Sequence, residues 1–89
     1  MEIQEQRPLV MTYRFRRQWR RLPREGQAAV GKALTKLRRG GSGRIKPLAT
    51  HPGLYEVRVL SGIRMIVEMC GDGLIVRSVG NHGPILRRP

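Results

Sequence analysis

Acidic residues are scarce in this chain: 6 Asp and Glu stand against 18 Lys and Arg, a formal charge of +12 over 89 residues. A surface built only for solubility mixes the two signs more evenly. Such an excess attracts polyanions, because every phosphate neutralised releases counterions. Charge alone does not choose among DNA, RNA, an anionic membrane and an acidic protein partner. Nucleic acid is the first expectation. Aromatics are also few, namely Phe15, Trp19, Tyr13 and Tyr55. Val, Leu, Ile and Met must therefore supply most of the buried apolar area. Cys70 is the one cysteine, which excludes an intrachain disulfide and a cysteine metal cluster. At the end of an apolar run it is expected as a small buried hydrophobe. No apolar run approaches the roughly 18 residues of a membrane span. Met1 to Arg7 are polar and charged and lack the apolar stretch of a signal peptide. The expectation is one cytoplasmic domain over residues 1–89, with 1–7 as a loose arm and no membrane contact.

What is present alternates in two different periods. Pro8 to Phe15 mixes β-branched, apolar and aromatic residues and predicts a first strand. Phe15, Trp19 and Leu22 then fall at i, i+4 and i+7, one face of a helix. Arg16, Arg17, Arg20 and Arg21 occupy its other faces and read as a solvated surface that adds to the basic field. Pro23 ends that helix or opens the next. Val30, Ala33, Leu34 and Leu37 form a second helical stripe, with Lys36, Arg38 and Arg39 at the negative end of the helix dipole. Gly40-Gly41-Ser42-Gly43 stops it. Arg44 to Gly53 reads as a connection that Leu48 pins to the core.

The period then changes to two. Tyr55, Val57 and Val59 alternate with Glu56 and Arg58; Ile63, Met65, Val67 and Met69 alternate with Arg64, Ile66 and Glu68. The all-apolar sets are expected to face the helices. A two-residue Ser61-Gly62 loop would pair Val59 with Arg64 and bring an arginine onto the apolar face. A three-residue Leu60-Ser61-Gly62 loop pairs Val59 with Ile63 and Arg58 with Arg64, with Gly62 where left-handed backbone is needed. Glu56, Arg58 and Arg64 then share an exposed face. Opposed arginines repel unless an anion or carboxylate lies between them, so either Glu56 or a bound phosphate compensates them. A Gly71-Asp72 turn pairs Met69 with Leu74 and Val67 with Val76. His82 shares parity with Leu74 and Val76 and so points toward the core side, unless a bend near Gly80 returns it to the arginine face.

The order of strand, helical hairpin, connection and antiparallel three-strand meander is an α+β, β-α-α-β-β-β arrangement. It resembles the RelE/ParE superfamily of bacterial type II toxins. The matching text runs from Tyr13 to His82. It comprises F-x-x-x-W-x-x-L (Phe15 to Leu22), the basic second helix, K-P-L (Lys46 to Leu48), G-L-Y-E-V-R-V (Gly53 to Val59), G-I-R-M-I-V (Gly62 to Val67) and S-V-G-N-H (Ser78 to His82).

In the RNase branch, the resemblance implies metal-independent cleavage of mRNA in the ribosomal A site by attack of the 2′-hydroxyl on the adjacent phosphate. That reaction needs a base, an acid and cations for the developing phosphorane charge. By resemblance Glu56 is the base, Arg58 and Arg64 clamp the phosphate and His82 is the acid, a YoeB-like combination. Lys46 is expected to contact the RNA backbone, His51 to stand as a second imidazole near the site, and Arg87 with Arg88, in the tail beyond the matching text, to contact phosphate. The family also implies a cognate antitoxin, operator DNA bound only through that antitoxin, and no cofactor. Many nucleases of the family end in an aromatic that orients the substrate. Here Gly83 to Pro89 contains none and leaves little room for a final helix. The fold also hosts gyrase poisons without nuclease chemistry, and a non-catalytic RNA-binding module is a third reading.

Overall fold

The structure, a computed structural model, describes residues 7–41 and 45–89. Strand β1 (Leu9–Met11) leads into α1 (Tyr13–Arg20) and α2 (Arg24–Arg38), followed by β2 (Ile45–Pro47), β3 (Leu54–Leu60), β4 (Ile63–Cys70), β5 (Gly73–Asn81) and α3 (His82–Arg87). The strands form one sheet in the order β1-β5-β4-β3-β2, antiparallel except for the parallel pair β1–β5. The expected meander is there, joined at one edge by the expected first strand, β1, and at the other by an additional one, β2.

The first strand is shorter than Pro8–Phe15 because Thr12 is an N-cap. Its hydroxyl accepts from the Phe15 N–H at 3.0 Å, which starts α1 at Tyr13. Pro23 separates the helices and caps α2, whose first turn carries Glu25 and whose last turn carries Lys36 and Arg38, as the helix dipole favours. Gly40, at φ +84°, closes α2 in a Schellman motif: Gly40 N–H donates to Leu37 and Gly41 N–H to Lys36. Ser42, Gly43 and Arg44 lie outside the described residues, as does the arm up to residue 6.

Both helices cover one face of the sheet, α1 over β5 and α2 over β3. Phe15, Val30, Leu34 and Leu37 meet Val57, Met65, Val67, Leu74, Val76 and Val79 there, with Trp19, Leu22 and Ala33 partly buried around them. The apolar sets therefore face the helices as their spacing predicts, except for Met69, which is exposed near the end of β4. Arg16, Arg17, Arg20 and Arg21 are exposed.

The other face is not open. Helix α3 lies across it, where Ile85 joins Leu54 and Ile66 in a second small cluster flanked by Leu48 and Leu86. This corrects the expectation that the chain end leaves little room for a helix. Six residues suffice, and Pro84 falls in the first turn, where its missing N–H costs nothing. Two further expectations change. The connection holds a short strand, β2, whose Lys46 pairs with Glu56; its proline sits at the sheet edge, where no ladder bond is lost. Cys70 is exposed rather than buried, since it closes β4 against Gly73 at the hairpin.

Candidate active site

The polar cluster depends on two β-bulges. Arg58 pairs with Arg64, as the three-residue loop predicts, but Leu60 rather than Val59 pairs with Ile63. Val59 is the extra residue, which lets a tight Ser61-Gly62 turn coexist with the Arg58–Arg64 register. Gly62, at φ +86°, supplies the left-handed backbone that the turn requires.

The second bulge corrects the placement of His82. Met69 pairs with Leu74 and Val67 with Val76, as expected, but Ile66 pairs with Ser78 and Met65 with Val79. Arg77 is the extra residue. From there on, the parity of β5 inverts: Ser78, Gly80 and His82 fall on the side of Ile66 and Arg64. His82 therefore belongs to the arginine face, through a bulge five residues upstream of it and not through a bend at Gly80. Its N–H donates to the Gly62 carbonyl at 2.8 Å, which ties the start of α3 to the β3–β4 turn.

Glu56 forms the floor of the resulting pocket and is only 3% exposed. The Arg64 Nε lies 2.9 Å from its Oε1, the His82 Nε2 3.5 Å from the same oxygen, and the Lys46 Nζ 3.9 Å from Oε2. The short Arg64 contact is an ion pair without hydrogen-bond alignment. Oε1 is buried with no aligned donor among the described residues. A buried carboxylate in that state is costly unless cations surround it, and three cationic or basic groups do. Arg64 is fixed by donating Nη1 to the Leu60 and Ile63 carbonyls, at 2.9 and 3.1 Å. Its side chain is 15% exposed, so the shared face is not the exposed one anticipated: α3 and β2 wall it in.

Arg58 behaves differently. It is exposed and has no carboxylate within salt-bridge reach among the described residues. Glu56 thus compensates Arg64 and does not reach Arg58. Ile45, Lys46, Glu56, Arg58, Arg64 and His82 line a cavity of about 240 Å³. That is the volume of about eight waters, enough for a phosphodiester at the mouth.

No protein-family model and no curated protein sequence matches the chain. Solved structures do. YafQ from E. coli strain BL21(DE3) superposes with a TM-score of 0.76 at 14% identity, over 90% of this chain and 98% of that one. The YoeB dimer from Staphylococcus aureus gives 0.70 at 13%, over 86% and 98%. An arginine double mutant of the E. coli toxin RelE in the free state gives 0.72 at 20%, over 89% and 86%. The chain has the RelE-type toxin fold.

On this fold, Glu56, Arg58, Arg64, His82 and Lys46 come together at one pocket. The other expected RNA contacts do not line it. His51 is exposed on the connection, its Nδ1 2.9 Å from the Thr50 hydroxyl. Arg87 and Arg88 are exposed at the far end of α3, where the Arg88 carbonyl accepts from Arg14. Ile45 also lines the pocket and lies outside the expected set, because the short strand β2 that carries it has no period of its own in the sequence. Among the described residues, no helix is long and apolar enough to cross a membrane.

Proposed function

We propose that this chain is the toxin of a type II toxin–antitoxin pair and an endoribonuclease that cleaves mRNA on the ribosome without a metal. The observation that carries the reading is the buried Glu56 carboxylate, held by Arg64 and facing His82, with the exposed Arg58 lining the same pocket. A module that only binds has no need to bury a carboxylate beside an imidazole, and general acid–base chemistry does.

Lys46 and Arg58, both exposed, hold the phosphate at the mouth, and Arg58 offers it a bidentate fork. Glu56 takes the proton of the 2′-hydroxyl as that oxygen forms its bond to phosphorus. His82 gives a proton to the departing 5′-oxygen, and the products are a cyclic phosphate and a free 5′-hydroxyl. Arg64 holds Glu56 in place and lends charge to the phosphorane. At 3.5 Å the carboxylate and imidazole are too close to flank a phosphorus in line. Substrate entry must part them. About half of the His82 side chain is exposed, which leaves it room to swing outward.

The antitoxin is an acidic or amphipathic chain that covers the basic surface, and operator DNA is bound through it. The E. coli DinJ–YafQ toxin–antitoxin complex, one chain of which superposes on this one with a TM-score of 0.74, supports such a partner. One observation favours the second reading, a gyrase poison: among the described residues, no aromatic lines the pocket to stack on a base. Primer extension on a defined mRNA, with and without 70S ribosomes, tests the proposal. Cuts within the A-site codon only when ribosomes are present are expected. Intact mRNA with a demonstrably toxic protein overturns the nuclease reading, and a supercoiling assay then tests gyrase.

A further inference from the structure

Strand β1 covers the edge of β5 only from Leu74 to Val76. Beyond it, β5 would present bare polar backbone, and this is the stretch that holds the parity-inverting bulge. Two side chains take the place of a strand there. Thr12 donates its N–H to the Val76 carbonyl at 3.1 Å and its hydroxyl to the Arg77 carbonyl at 2.8 Å. In a regular strand, consecutive carbonyls point to opposite edges. One residue binding both is thus the signature of a bulge held open. Gln18 follows: its Oε1 accepts from the Val79 N–H at 2.9 Å. It is the one uncharged polar residue between Tyr13 and Arg21 on an otherwise arginine-rich helix, and it reaches inward across 61 positions of sequence to a single strand amide.

We infer that Thr12 and Gln18 are positioning residues for His82. By fixing the backbone on both sides of Arg77, they hold Ser78 to His82 in the inverted parity that delivers the imidazole to Glu56. Neither lines the pocket, so they act through the strand. Thr12 has a second duty as the α1 cap, which makes Gln18 the cleaner probe. An uninterrupted β5 would turn His82 toward the helix-covered face, where no proton transfer to a substrate at Glu56 is possible. The effect on catalysis rests on the nuclease reading; the placement of His82 does not.

The experiment compares Gln18→Leu, similar in size but without an acceptor, with Gln18→Glu, which keeps the acceptor oxygen, and with Gln18→Ala as a less bulky second variant. Two readouts need no activity. Amide exchange at Val79 is expected to be slow in the wild type and in Gln18→Glu and fast in Gln18→Leu and Gln18→Ala. Nuclear Overhauser contact between the His82 ring and the Glu56 side chain is expected to follow the same division. For ribosome-dependent cleavage, Gln18→Leu is expected to lower kcat about 100-fold with KM unchanged, and Gln18→Glu to restore it. Loss of Val79 protection with the His82–Glu56 contact intact overturns the inference. Equal kcat losses in Gln18→Leu and Gln18→Glu also overturn it. Should the wild type cleave nothing, the nuclease reading fails alone, and the two NMR readouts still decide the positioning role.

Discussion

Met65 and Arg64 are neighbours on β4 and face opposite sides of one sheet. On the Met65 side, two helices seal a continuous apolar layer, and each side chain there can be removed only at the cost of a cavity. On the Arg64 side, a buried carboxylate and a guanidinium share the space with the buried Ser78 and the small apolar cluster of Leu54, Ile66 and Ile85. The two faces are similarly buried near the middle of the sheet, but they are held differently. The first is stabilised by apolar area, at about 25 cal/mol per Å². The second is held by compensation: Glu56 is tolerated because Arg64, Lys46 and His82 surround it. A face of the second kind can be made more stable by erasing its chemistry, and this distinguishes a site from a core.

The largest expected effects test that distinction directly. Met65→Ala is expected to lower unfolding stability by about 2–5 kcal/mol through its cavity, with no single second substitution that restores it. Arg64→Met should cost a similar amount, about 3–5 kcal/mol, by leaving Glu56 buried without its partner. Adding Glu56→Leu should recover most of that loss while cleavage and toxicity stay abolished. Denaturant melts of the three variants measure this. Failure of the double variant to recover would place Glu56 and Arg64 with the core rather than the site.

The first face was legible in the sequence because it obeys a period. Phe15, Trp19 and Leu22 at helical spacing, and Val57, Met65 and Val67 at strand spacing, name their own surroundings. The second face was half legible. Period two puts Glu56, Arg58 and Arg64 together, but it says nothing about what covers them. The sign of a cover was Ile66, an apolar residue in the polar-parity set, which needed Ile85 above it. The sequence also contained the mark of the Arg77 bulge. Leu74 and Val76 keep period two, and the next core residue is Val79, three positions on. One residue too many within a strand is a bulge, and reading it would have turned His82 to the correct side. Strand β2 left less trace, since three residues containing Lys46 and Pro47 have no period. The exposure of Cys70 likewise depends on where a hairpin ends, which composition does not reveal.

An intermediate effect is expected at Arg58, the arginine of the pair that no carboxylate claims among the described residues. Arg58→Ala should leave the melt within about 0.5 kcal/mol of the wild type, because its side chain is exposed. Its loss should show instead as weaker RNA binding, by about 10- to 100-fold, the worth of a charged hydrogen bond to phosphate. The opposite pattern, a destabilised fold with unchanged binding, would move Arg58 to the structural side of the comparison.

The smallest effect separates Lys46 from the buried partners of Glu56. Its Nζ stands 3.9 Å from the carboxylate, with 73% of the side chain exposed. An ion pair so open to solvent contributes about 0–1 kcal/mol, so Lys46→Ala should scarcely shift the melt, even though the same carboxylate makes Arg64 indispensable. If Lys46 meets a phosphate at the pocket mouth, its removal should flatten the salt dependence of binding to single-stranded RNA. The slope of log K against log salt should fall in magnitude by about 0.7. An unchanged slope would mean that Lys46 serves Glu56 alone. The mouth of the pocket would then present Arg58 and His82 to the nucleic acid without it.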